Sequence, residues 1–122
     1  MQAYGFHEKV DALIDQVMSL PQAYEGFICR SASKPMAKSG RRCPTRSEYI
    51  GVTKNGKRWQ AMVNVGLKKV YIASYRSERD AAVCFDLHSL MLHSLTAKVN
   101  FDYTKEELLQ LLHAYRENGL VH

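Results

Sequence analysis

The side chains best placed for chemistry in this sequence are cations, and their setting suits phosphate. Lys54, Lys57 and Arg58 fall around one turn and Lys68 and Lys69 at the next, while Arg41, Arg42 and Arg46 lie in the stretch leading into them. Lysine is a compact charge on a flexible stem, so such groups hold phosphate oxygens better than they read base edges. Tyr71 follows in the same run, where an aromatic ring can stack on an unpaired base. Other chemistry lacks its residues. His7, His88, His93, His113 and His122 fall in no metal-ligand spacing with Cys or an acid. No nucleophile motif, phosphate-cradling glycine loop or paired acid marks a strand end. The expectation is a binding protein, not an enzyme, with no metal and no cofactor.

The elements that must position these cations can be read from periodicity. Asn55-Gly56 separates two β-prone runs, which predicts a type I′ hairpin with both residues at positive φ. Trp59, Ala61, Val63 and Val65 alternate with Gln60, Met62 and Asn64, and past a turn at Gly66, Val70 and Ile72 alternate with Lys69 and Tyr71. One sheet face is therefore apolar and the other mixed. Ser77, with Asp80 three residues on, opens a helix whose Ala81, Phe85, His88, Leu92 and Leu95 share a face directed at the sheet. The predicted core unites Trp59, Ala61, Val63, Val70 and Ile72 with Phe85, His88 and Leu92. A second stripe, Val83, Leu87 and Leu90, needs cover from a flanking helix or from another chain, and so marks a candidate partner-binding surface.

Two further helices are available for that cover. Phe6, Val10, Leu13, Ile14, Val17 and Met18 recur at helical spacing before Pro21, predicting an amphipathic helix over residues 6–19. Thr104 and Glu107 form a capping box ahead of Leu108, Leu111, Leu112 and Tyr115, closed by Asn118-Gly119. The resulting division is residues 1–29, amphipathic helix and connector; 30–46, basic arm; 47–103, the sheet-and-helix domain; and 104–122, C-terminal helix. The arm reads equally as a solvated linker and as a phosphate-binding segment.

Size and composition agree with one domain carrying extensions. At 122 residues the chain can build one modest core, and 46% hydrophobic with 24% charged residues is a globular balance, with no apolar run that would span a membrane. A net charge of +5 raises the prior for a polyanionic partner. Three cysteines, Cys29, Cys43 and Cys84, in no C-x-x-C spacing, fit a reducing intracellular compartment. Glu8, Asp11 and Asp15 in the first segment argue against a signal or transit peptide.

Residues 47–103 resemble the Apetala-two/ethylene-response-factor (AP2/ERF) domain. The resemblance rests on Tyr49-Ile50-Gly51-Val52, Trp59-Gln60-Ala61-Met62-Val63, Ala81-Ala82-Val83-Cys84-Phe85-Asp86 and Ala97-Lys98-Val99-Asn100-Phe101, in order and at the family's spacing. It implies an α+β fold, a three-stranded antiparallel sheet packed on one helix, here with flanking N- and C-terminal helices. It also implies nucleic-acid binding by the outer sheet face, which in this family enters the DNA major groove. At the family's base-reading positions this chain has Ile50, Thr53, Met62, Asn64 and Lys69-Val70-Tyr71 instead of arginine, glutamate and tryptophan. Sequence-independent phosphate binding is then the favoured mode. Ile50, Met62 and Tyr71 are candidates for stacking on RNA bases or docking a protein.

The expected function is a nucleic-acid-binding structural component of a larger nucleoprotein, ribosomal and RNA-binding, beside neighbouring protein chains. The alternatives are a sequence-specific DNA-binding transcription factor and a protein-interaction module. The compartments these imply are an organellar (mitochondrial) ribosome or the nucleus, with no membrane.

Overall fold

Alternation along residues 58–65 makes the central strand. The computed structural model describes residues 6–20, 26–29, 31 and 47–118; the basic arm, with Arg41, Arg42 and Arg46, lies outside them. In chain order the elements are α1 (Phe6–Met18), β1 (Phe27–Cys29), β2 (Val52–Asn55), β3 (Arg58–Val65), β4 (Lys68–Tyr75), α2 (Glu78–His93), a 3-10 turn (Ser94–Thr96), β5 (Tyr103–Thr104) and α3 (Lys105–Asn118). Strands β2, β3 and β4 form an antiparallel sheet in that order, packed on α2, and β1 pairs with β5 in a separate two-stranded ribbon. The fold is α+β. Among the described residues no helix is long and apolar enough to cross a membrane.

The hairpin forms one residue later than expected. Asn55 is the last residue of β2 and faces Arg58, so the connecting pair is Gly56-Lys57. Gly56 has φ 66°, whereas Asn55 and Lys57 do not have positive φ. That is the II′ pattern, glycine first, in place of I′. Gly66-Leu67 joins β3 to β4 in the same way, with φ 65° at Gly66.

Strand β4 departs from simple alternation. Val63 faces Val70 and Met62 faces Tyr71, but Ala61 faces Ala73, so the register shifts and Ile72 is the extra residue of a bulge. The buried positions of β4 are accordingly Val70 and Ala73, and Ile72 is half-buried between two apolar clusters. Trp59, expected at the centre of the core, is also half-buried.

Helix α2 begins at the predicted cap, Ser77 Oγ accepting from the Asp80 amide at 3.3 Å. Its Ala81, Ala82 and Cys84 pack with Val52, Ala61 and Ala73 of the sheet. Small residues at both surfaces let helix and sheet approach closely. At the start of β2 the approach is closest: Gly51 has φ 76°, and a Cβ there would stand 2.0 Å from Phe85 Cδ1.

Two expectations for α2 are corrected. His88 does not face the sheet: its ring lies edge-on to Phe6 of α1 at 4.7 Å and to Tyr115 of α3 at 5.2 Å. Its Nδ1 is 2.8 Å from the Cys84 carbonyl, which can only accept, so Nδ1 carries the proton and Nε2 accepts from the Tyr115 hydroxyl at 3.1 Å. Leu87 and Leu90 are fully buried with residues of α1 and α3, while Val83 is half-buried. Both leucines are therefore spent inside the chain and are closed to a partner. Helical periodicity locates a stripe without saying what covers it, and here the terminal helices do. The capping box of α3 forms as read, the Thr104 amide donating to Glu107 Oε1 at 2.9 Å and the Glu107 amide to Thr104 Oγ1 at 3.2 Å.

Candidate nucleic-acid interface

The outer sheet face is positioned from behind by Asp86. This carboxylate is fully buried in α2. It accepts from the Asn100 amide at 2.7 Å, Asn100 Nδ2 at 3.1 Å, the Phe101 amide at 3.2 Å and the Tyr103 hydroxyl at 2.7 Å. Asn100 in turn clamps the backbone of Ile50, accepting from its amide at 2.7 Å and donating to its carbonyl at 3.0 Å. The chain entering β2 is thereby pinned to the chain leaving α2. Burial outweighs the four donors and pushes the Asp86 carboxyl up to about 6. Arg79 lies 4.6 Å over the Phe101 ring, and Phe101 meets Tyr49 at 5.3 Å, bracing the same junction.

Pairing then fixes what the outer face presents. Three outward rungs join β3 to β4: Gln60 with Ser74, Met62 with Tyr71, and Asn64 with Lys69. Tyr71 is 51% exposed, and Leu67, at the turn tip, is fully exposed. Arg58 reaches along the face, donating from Nε to Ser74 Oγ at 3.1 Å and from Nη2 to the Ser74 carbonyl at 3.0 Å, so its guanidinium is held in one orientation.

The five expected cations of the sheet divide between its two ends, as the two turns require. Lys54, Lys57 and Arg58 sit at the end carrying the Gly56-Lys57 turn, and Lys68 and Lys69 at the opposite end of β3, eight residues or roughly 23 Å away. All five are exposed, Lys54 Nζ standing 5.6 Å from the Trp59 ring centroid. Arg76, which the motif reading passed over, follows β4 at the Lys57 end, because Tyr75 pairs with Trp59. Its signal was a run without acids: from Tyr49 to Ser77 there is no Asp or Glu. The helices hold the opposite sign, α1 carrying Glu8, Asp11 and Asp15 against Lys9, and α3 carrying Glu106, Glu107 and Glu117 against Lys105 and Arg116. The sheet side is positive and the helix side negative.

The two described cysteines, Cys29 and Cys84, are buried. Burial pushes the Cys84 and Cys29 thiols up to about 11, so neither is a thiolate at neutral pH. Among the described residues no group of His, Cys, Asp and Glu gathers that could hold a metal ion.

No protein-family model matches the chain, and no solved structure matches it. Two curated proteins are similar to about half of it. They are the AP2-like ethylene-responsive transcription factors At1g16060 of Arabidopsis thaliana, 34% identical over 64 residues, and CRL5 of Oryza sativa subsp. japonica, 30% identical over 70 residues. Those stretches are 48% and 54% of this chain but only 18% and 11% of the two relatives, so the chain spans less than a fifth of the proteins it matches.

Proposed function

We propose that this chain is a non-catalytic DNA-binding module of the AP2/ERF kind, acting in the nucleus as part of a transcription regulator, with the outer face of β2–β4 against duplex DNA. The observation that carries this reading is the acid-free sheet, with Lys54, Lys57, Arg58 and Arg76 at one end and Lys68 and Lys69 at the other. A major groove is about 12 Å wide and admits a β-ribbon, so cations roughly 23 Å apart along β3 reach phosphates beyond the ends of a short stretch of bases. The named relatives are transcription factors, which favours DNA over a ribosomal RNA as the polyanion.

A titration tests it. The full chain should bind duplex DNA with a logarithmic salt slope near 0.9 per phosphate neutralised, about 0.7 on single strands. Replacing Lys68 and Lys69 together by Ala should weaken binding on every duplex and shallow the slope by about two units. Exposed Tyr71 beside Met62 favours a second reading, stacking on unpaired RNA within a nucleoprotein. Single-stranded RNA outcompeting duplex DNA of equal length would favour that second reading and sink the first.

A further inference from the structure

The outer face is charged at its ends and uncharged at its centre. Of its three rungs, Gln60 with Ser74 and Met62 with Tyr71 carry no charge, and in the third Asn64 stands opposite Lys69. Arg58, the guanidinium of this face, is drawn toward the Ser74 edge by two hydrogen bonds. We infer, resting on the duplex-binding reading above, that the centre of this face reads A·T base pairs: the amides of Gln60 and Asn64 recognise adenine, and Met62 and Tyr71 pack on thymine methyl groups.

The match is one of chemical pattern and spacing. A carboxamide offers a donor and an acceptor side by side, complementary to the N6 amine and N7 of adenine. Guanine presents two acceptors and calls for a cation. The middle rung holds no cation, the Arg58 guanidinium is engaged by Ser74, and Met62 and Tyr71 offer the apolar surface that thymine alone rewards in the major groove. Successive outward residues of a strand are about 6.7 Å apart, close to two base-pair steps of about 3.4 Å. Gln60, Met62 and Asn64 thus meet alternate base pairs, and together span about four steps. The cations at the strand ends then fall on flanking phosphates.

The test is selection of the full chain on duplexes with a randomised core at low salt, followed by replacing thymine with uracil in the selected site. A·T pairs should dominate the alternate central positions that Gln60, Met62 and Asn64 meet, and loss of one thymine methyl should weaken binding about fourfold, the equivalent of one buried methyl group. Asn64→Ala should reduce the preference for adenine about tenfold without changing affinity for unrelated duplex. Tyr71→Ala, on an exposed side chain, should reduce the thymine-over-uracil difference without moving the melting temperature, and Met62→Ala added to it should abolish what remains. A G·C-rich selected core, or equal binding of thymine and uracil duplexes, overturns the inference and leaves duplex binding standing. A chain that binds no duplex at low salt overturns both.

Discussion

Two apolar regions share helix α2 and are built on opposite principles. One joins Val52, Ala61 and Ala73 of the sheet to Ala81, Ala82 and Cys84 of α2, while Val63 and Val70 of the sheet belong to the other. Toward the terminal helices that other region includes Leu87, Leu90, Leu108 and Leu112, with Val10 and Val17. In the first, small side chains bring two backbones together, so an added atom meets a wall. In the second, long side chains interdigitate, so a removed atom leaves a void. The close-packed region lies behind the outer face of β2–β4; the other holds most of the buried apolar residues.

The two regions should fail in opposite directions. The largest effect is expected from Leu87→Ala, a fully buried side chain in the large-residue cluster, at about 2 to 5 kcal/mol in chemical denaturation. A loss below about 1 kcal/mol would show that the terminal helices collapse around the void. Next is Gly51→Ala, which adds one methyl at φ 76° against Phe85 and should cost about 1 to 3 kcal/mol. Phe85→Leu made in that background should recover part of the loss, a coupling a double-mutant cycle would measure. Purely additive effects would place the strain of Gly51→Ala in the backbone alone.

The smallest effect is on pH dependence, and its sign separates the two regions. Asp86 is raised by burial to about 6 in the fold, so its contribution is present below its unfolded value of 3.8 and lost as pH rises through about 6. His88 is lowered by burial from 6.5 to about 4, so its contribution is present above 6.5 and lost as pH falls through about 4. Between pH 4 and 6.5 the two oppose each other. Asp86→Asn should therefore make the melting temperature fall more steeply on acidification than in the parent, and His88→Gln should make it fall less or rise. Parallel profiles for all three proteins would show that neither group titrates as its burial implies.

Much of this architecture was legible in the residues. Asn55-Gly56, the alternation through Val65, the Ser77 cap and the Thr104/Glu107 box each announce an element by local chemistry, and each element is present. The misses share one cause. Asn55-Gly56 became a strand end plus the first turn residue because β2 and β3 keep one more pair in register. Ile72 left the alternation because Ala61 must oppose Ala73 for α2 to sit close. His88 turned away from the sheet because α1 and α3 bring Phe6 and Tyr115 to it. For the candidate interface, the cations and their division between the two turns were legible in the sequence, because successive turns of a hairpin meander lie at opposite ends of its middle strand; the β3–β4 bulge that sets which residues share an outward rung was not.

The sequence by itself determined the helix and strand periods, the caps, the glycine turns and the absence of acids between Tyr49 and Ser77. These depend on interactions within a few residues, or on composition alone. Tertiary structure decided the β3–β4 register, the covering of Leu87 and Leu90 and the burial of Asp86 under four donors. Each of those is a pairing between residues distant in the chain. Such a pairing is fixed only when the elements compete for the same apolar surface and one arrangement buries it without stranding a polar group.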